Sequence, residues 1–452
     1  MKNRDKMNFD GNTPQNRKSE LSECQGESLG SLFAKRKVTD LKDSGIPWIG
    51  EIPKDWEISK IKYIGEARNG LTYSPQEMCD ETKGTLVLRS SNIQNDNLCF
   101  EDNVYVDKEV DEELMMREGD ILICSRNGSA KLVGKCAIIP KHVTATFGAF
   151  MMRFRSILNK NFSLYLIRTT LAQYKELFST STINQLTNTM IGNMQFPLPS
   201  EQEQQEIAEF LDRECGEIDE LVALQDKMIE ELKAYKQSII TETVTKGLNP
   251  NVPLKDSGIE WIGEIPQHWK VSKIKNENNI LDYLRQPISA DKRINELGLY
   301  DYYGASGVID KIDDYNVDDK VLLIGEDGAN LIFRNLPLIY KAEGRFWVNN
   351  HAHILKVKSY NDYTYMFYML EAGDYFLYIT GSAQPKLSQE NLKNFVIPIP
   401  PLSEQQEIAD FLDKKCSEID SLIELKQQKI EELKDYKKSI IYEYVTGKKH
   451  VF

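Results

Sequence analysis

The sequence predicts an α+β fold in which two α/β domains are separated by an antiparallel pair of long coiled-coil helices, the whole forming a pseudo-two-fold internal repeat. Three observations carry that expectation. The stretch LKDSGIPWIGEIPKDW at 41–56 returns as LKDSGIEWIGEIPQHW at 254–269; over 41–62 against 254–275, an offset of 213, 17 of 22 positions are identical. A second stretch, 196–245, returns at 397–446 with an offset of 201. Between these constant ends lie two blocks, 63–195 and 276–396, whose sequences barely resemble each other. Each half therefore reads as opening motif, variable block and helix.

With 452 residues the chain exceeds what one core fills, which favours several domains. Residues 1–38 are polar and weakly basic, and are expected to form a flexible extension. The first domain is placed at 39–200, a central helix at 201–247, a linker at 248–253, the second domain at 254–400 and the C-terminal helix with its tail at 401–452. The opening motifs are rich in turn residues. Their tryptophans (Trp48 and Trp56, Trp261 and Trp269) are large apolar anchors that would pin the motif to the domain it precedes, in preference to serving as a ligand platform.

Both blocks mix strand-like and helical runs. GTLVLRS (84–90), DILICSR (120–126), KCAIIP (135–140), KVLLIGE (320–326), NLIFR (330–334) and HAHILKV (351–357) read as strands. Residues 161–178 and 362–379 read as helices.

The repeated tails read as long helices. Ser200 or Ser403 is the expected N-cap, acidic residues fill the first turn, and Gly247 and Gly447 mark the ends. Ile218, Leu221, Val222, Met228, Ile229, Leu232, Tyr235 and Ile239 form an apolar stripe, repeated by Ile419, Leu422, Ile423, Ile430, Leu433, Tyr436 and Ile440. About 45 residues at 1.5 Å each give a rod of roughly 65–70 Å. If the first helix leads from block one to block two and the stripes pack together, the second must return, so the pair is antiparallel. Gln225, Lys426 and Lys429 are the polar seam residues expected to fix register.

Net charge is −13, yet residues 201–247 alone carry −8, while 41–200 hold 18 Lys+Arg against 19 Asp+Glu. Total charge therefore does not exclude a polyanionic partner. The seven cysteines form no CxxC pair and only five histidines are present, so reduced, mostly buried thiols are expected instead of zinc or disulfides. No apolar run reaches membrane-spanning length and no signal-like core opens the chain, which predicts a cytoplasmic protein without membrane contact.

Between the strands lie loops rich in Arg, Asn, Gln, Ser and Lys, the side chains that read base edges and bind phosphates. The candidates for DNA contact are Arg89, Asn92, Arg126, Asn127, Lys131 and Gln185 in the first block, and Arg285, Asn330, Arg345, Asn350, Gln384 and Lys386 in the second. Catalytic and metal candidates are weaker. SRNGSAKLVGKC lacks phosphate-loop spacing, NPNV (249–252) lacks the second proline and aromatic of an amino-methyltransferase motif, and His351 with His353 has no evident third ligand. Glu326 and Asp327 suggest a turn, or acceptance of a hydrogen bond from cytosine, more than nuclease acids. No catalytic residue and no metal ligand is expected.

The paired SGIxWIGEIPxxW motifs, the blocks ending in PxPxxxEQQEIAxFLD and the closing helix of each half resemble the specificity subunit of Type I restriction-modification systems, over roughly residues 41–447. GDILICSRNGS, VLLIGEDGAN and GSAQPKLS also resemble recurrent patterns of that family's target-recognition domains. The resemblance implies two target-recognition domains, each reading one half of a bipartite asymmetric site in double-stranded DNA, with the helices setting the gap. It implies two modification subunits that bind S-adenosylmethionine and methylate adenine, and restriction subunits that use ATP and Mg. No cofactor is expected on this chain. A self-contained fused methyltransferase/endonuclease is the alternative function, and a coiled-coil scaffold without DNA contact is another.

Overall fold

The computed structural model describes residues 40–177, 185–289, 298–381 and 384–451. The N-terminal extension, parts of the loops at 181–187 and 381–388, and Cys24 lie outside these. The chain divides into two compact units at 223/224 and 430/431, inside both long helices, so that residues 431–451 belong with the first unit.

In the first unit the opening strand Glu57–Lys60 pairs antiparallel with Gln195–Leu198, closing the block on its own ends. An antiparallel sheet runs in the order Cys136–Ile138, Ile121–Cys124, Met151–Ser156, Gly65–Asn69. Its central strand Ile121–Cys124 is buried throughout, as four successive apolar residues covered on both faces must be. A smaller sheet joins Thr146–Phe147 parallel to Thr85–Leu88. The helix Lys160–Leu177 covers the larger sheet with Phe162, Leu166 and Ile167, all fully buried.

The second unit repeats this plan. Lys270–Lys273 pairs with Val396–Ile399, and a six-stranded sheet contains Asn278–Ile280, Ala352–Val357 and Val317–Gly325 in neighbouring positions. The register of the central pair coincides with that of the first unit, while the strand on the other side of the central one is shifted by two residues, Ile121 facing Ile138 where Leu322 faces Lys341. Ile121 faces Phe154 and Cys124 faces Met151; at the offset of the repeated tails, Leu322 faces Leu355 and Gly325 faces Ala352. Gly65 opposes Ser156 as Asn278 opposes Val357, and Phe147 runs parallel beside Leu88 as Val348 does beside Tyr303. Two blocks without evident sequence likeness thus share one strand pairing. The second block is the shorter between the equivalents of Thr85–Leu88 and Ile121–Cys124, where it carries the strand Gly307–Ile312 paired back onto Tyr300–Gly304, the counterpart of Thr85–Leu88.

Several local expectations are corrected. NLIFR is a short helix, Asn330–Phe333, because the Asn330 side chain bonds the Leu336 and Pro337 carbonyl oxygens and the Leu336 amide, and Arg334 turns left-handed at φ +49°. The helix expected at 362–379 stops at Ala372, where the backbone of Gly373 leaves the helical region (φ −56°, ψ 134°). Ser403 is inside the first turn of its helix, which starts at Leu402, whereas Ser200 does cap Glu201–Lys246, its hydroxyl accepting from the Glu203 amide.

Each long helix packs antiparallel to the other within each unit. In the first, Phe210 packs against Tyr444 (centroids 4.4 Å apart) while Asp219 meets Lys437. In the second, Gln225 accepts from Lys426 (3.2 Å) while Lys236 meets Asp420. Rising numbers on one helix meet falling numbers on its neighbour in both. The opening motif is wedged at this meeting. Trp56, 1 % exposed, belongs to the same buried cluster as Ile440, Tyr444 and Val445 and donates its indole N–H to Glu203 (3.1 Å). Gly447, at φ +72°, lies so near that a Cβ would come within 2.5 Å of Pro53 and 3.0 Å of Trp56. Trp269 and Gly247 repeat the close packing in the second unit, where a Cβ on Gly247 would come within 3.2 Å of the Trp269 ring. The apolar stripe holds at Ile218, Ile229, Ile419, Ile430 and Ile440, but Leu221, Tyr235, Leu422 and Tyr436 are exposed, as are Leu224 and Leu425.

The six described cysteines are free thiols, four of them buried, and burial pushes Cys136 up to about 11. No helix among the described residues is long and apolar enough to cross a membrane.

Candidate nucleic-acid interface

At one end of the central strands, three loops far apart in sequence converge in each unit. In the first, the Ser125 and Arg126 amides both donate to the Phe150 carbonyl, the Leu186 amide donates to the Ser125 carbonyl (2.7 Å), and Arg126 forms an isolated bridge with Gln185. In the second, the Glu326 amide donates to the His351 carbonyl (2.8 Å), the Leu387 amide donates to the Glu326 carbonyl (2.7 Å), and Asp327 bridges Lys386. Every partner is displaced by the one offset that relates the repeated tails. The following turn repeats as well: Thr187 caps Asn188–Asn193 by accepting from Met190, and Ser388 caps Gln389–Asn394 by accepting from Asn391, both at 3.2 Å.

Backbone bonds fix this junction, so the side chains on it vary without unmaking it. In the first block, Arg126 is exposed and lies over the Phe150 ring, 5.3 Å from its centroid, with Phe150 60 % exposed. Asn127 donates to the Ser90 hydroxyl (3.2 Å) and accepts from the Ser129 amide, which fixes the turn. Lys135 reaches the Ser90 carbonyl, tying the 89–92 segment to the same place. Arg89 is held by Asp102 (2.7 Å), and Lys131 is exposed on the short turn Ala130–Leu132. Gln185 is exposed on the bridge. Asn92 departs from expectation. It is fully buried, and its amide donates to Cys99 and Asn103 while its oxygen accepts from Arg89, so it shapes the loop from inside instead of facing a base.

In the second block the junction rests on charges. Arg285 is largely buried, ion-paired with Glu326 and 3.4 Å from Asp282, and so supports the loops from beneath. Lys386 reaches the other Glu326 oxygen at 2.9 Å. Burial works against the Glu326 carboxylate, but Lys386 and Arg285 outweigh it and hold the group below its ordinary value. His353, completely buried, faces Asp282 through Nδ1 (2.7 Å) and the Leu387 carbonyl through Nε2 (2.8 Å). Burial pushes Asp282 up, yet His353, the Ile354 amide and Gln389 bring it below its ordinary value. His351 is half exposed, with Nδ1 2.7 Å from Asp327. Asn350 and Gln384 are exposed beside the junction, Asn330 is occupied by its own loop, and Arg345 is paired with Asp318 (3.0 Å) over the Tyr315 ring.

Residue composition pointed to the polar loops but not to Phe150, Ser90, Lys135, Asp282 or Gln389, whose roles arise from long-range pairing. The one available signal was the constant offset of the repeated tails, which carries Ser125, Arg126 and Asn127 onto Glu326, Asp327 and Gly328. No group of three or more His, Cys, Asp or Glu capable of holding a metal occurs among the described residues.

A sequence-family model described as "Type I restriction modification DNA specificity domain" matches residues 53–234 and again 266–435. A protein of Methanocaldococcus jannaschii, named putative Type I restriction enzyme MjaX specificity subunit, is 30% identical over 431 residues, covering 88% of this chain and 95% of that protein. The StySPI specificity subunit of Salmonella potsdam is 24% identical, covering 82% and 84%. A solved structure titled for complex assembly and conformational transition of the Type I R-M system matches with a TM-score of 0.65 at 15% identity, covering 88% of this chain and 99% of that one. That last likeness concerns the fold alone.

Proposed function

Because the chain belongs to the Type I restriction-modification DNA specificity family, with two copies of its domain, we propose that it is the subunit that chooses the DNA sequence for such a complex. Each domain reads one half of a bipartite, asymmetric site in double-stranded DNA, and the paired long helices act as a coiled-coil spacer that sets the unread gap. One observation carries this reading: a single backbone junction occurs in both blocks at a constant spacing, dressed with different side chains. Two readers of one design but unlike surfaces suit a site whose halves differ.

The chain itself performs no chemistry in this reading. Two modification subunits supply S-adenosylmethionine and methylate adenine, and restriction subunits supply ATP- and Mg-dependent translocation and cleavage in the cytoplasm. The modification subunits dock on apolar side chains that the helices leave exposed twice over, Leu221, Leu224 and Tyr235 in one copy and Leu422, Leu425 and Tyr436 in the other. A duplicated patch suits two copies of one partner.

The test is reconstitution of the full chain with its modification subunits and measurement of duplex binding against salt. A sequence-specific complex whose affinity falls steeply with ionic strength is expected. Binding indifferent to sequence would favour a scaffold, and methyl transfer by the chain alone would favour a fused enzyme.

A further inference from the structure

We propose that the specificity of the two half-sites resides in two side-chain pairs at equivalent junction positions, Arg126 with Phe150 in the first domain and Asp327 with His351 in the second. This assignment rests on the DNA-reading function proposed above and names the residues that carry it.

The argument begins with what the junction holds constant. Central strand pairing, two inter-loop backbone hydrogen bonds, one isolated bridge and the cap of the following helix recur at the offset of the tails. Positions 126 and 327 both stand two residues beyond the end of a buried central strand, and both are bridged on one side, by Gln185 and Lys386 respectively. On the other side each meets the side chain of the residue, just before the strand Met151–Ser156 or Ala352–Val357, whose carbonyl anchors the junction. Rigid strand ends therefore hold one pair per domain in place, which is what discrimination between bases requires.

The chemistry at the two places is opposite. Arg126 offers a planar fork of donors that matches the O6 and N7 acceptors of guanine, and Phe150 beneath it is an exposed apolar platform suited to a thymine methyl. At the matching position, Asp327 is an acceptor with little exposure, 19% for its side chain, while His351 is 48% exposed. Asp327 is thus the positioning residue: its carboxylate accepts a hydrogen bond from Nδ1–H and leaves Nε2 for the ligand. His351 presents that edge to a base. One frame bears an always-charged donor fork in one copy and an oriented imidazole in the other, so a single complex reads unlike half-sites.

Two of the other polar candidates are engaged by acids. Arg89 is tied to Asp102, and Lys386 to Glu326. They suit backbone placement, which carries no sequence information.

The experiment uses the full chain assembled with its modification subunits and a pool of duplexes with randomised bases; the bound fraction is sequenced. Arg126→Gln is expected to change the preferred base at one position of one half-site by about 5- to 150-fold and to leave the other half-site unaltered. His351→Gln and Asp327→Asn are expected to change one position of the other half-site and spare the first. The untouched half-site reports that each variant still folds and assembles. Unchanged base preferences in the variants, or a loss spread evenly over all positions, overturn the assignment while leaving the DNA-reading function standing. A wild-type complex with no base preference overturns both.

Discussion

Lys437 Nζ lies 2.7 Å from both carboxylate oxygens of Asp219, and the same pair recurs with the two helices exchanged, Lys236 standing 2.7 Å from both oxygens of Asp420. Charge reversal tests this relationship. Lys437→Asp places two acids face to face, and the double reversal Lys437→Asp with Asp219→Lys restores attraction. Exposed pairs of this kind contribute about 0.2–1 kcal/mol, so the single reversal should lower the unfolding midpoint measurably and the double variant should regain most of it. No regain in the double variant would count against antiparallel packing of the helices in solution.

The opening-motif tryptophans carry a larger effect. Trp56 and Trp269 are each 1 % exposed and wedged between helix ends. Replacing either with alanine should cost about 3–5 kcal/mol through lost burial and the cavity left behind. Denaturant titration of each variant reads it, and a change below about 1 kcal/mol would show that the motif is not a packing anchor.

Acid should act on the second domain through Asp282. Its folded value lies below the ordinary 3.8, so its stabilisation is fully present above that pH and is lost as pH falls through the folded value. Asp282→Asn leaves Arg285 and His353 without their shared carboxylate and should cost about 3–5 kcal/mol at neutral pH. The gap between wild type and variant should shrink in melting experiments below pH 3.8. A gap that stays constant far into acid would refute the charge account.

Docking of modification subunits predicts a separable defect. Leu224→Asp combined with Leu425→Asp adds charge to exposed apolar positions, 50% and 62% accessible, and should leave folding intact. Partner binding by sedimentation or calorimetry should weaken by about tenfold or more, the range for interface anchors. Undiminished binding would move the docking surface elsewhere.

Residue patterns alone disclosed the duplicated frame: the opening motifs, the long helices with ends at Gly247 and Gly447, and their antiparallel return, because helix periodicity and chain connectivity are local or arithmetic properties. They also marked loops containing Arg126, Asn127, Gln185 and Lys386 as polar and of one kind. They misread Asn92 as a surface contact and NLIFR as a strand, since an asparagine that folds its own loop looks in sequence like one that faces solvent. The common register of the two blocks was decided only in three dimensions. Backbone hydrogen bonds set it, and these are indifferent to whether position 126 or 327 bears arginine or aspartate, so sequences could diverge while the pairing stayed. Which side chain stands against Phe150 or His351 likewise depends on strands that meet across a long intervening stretch of chain, a closeness created by folding and invisible to any local pattern.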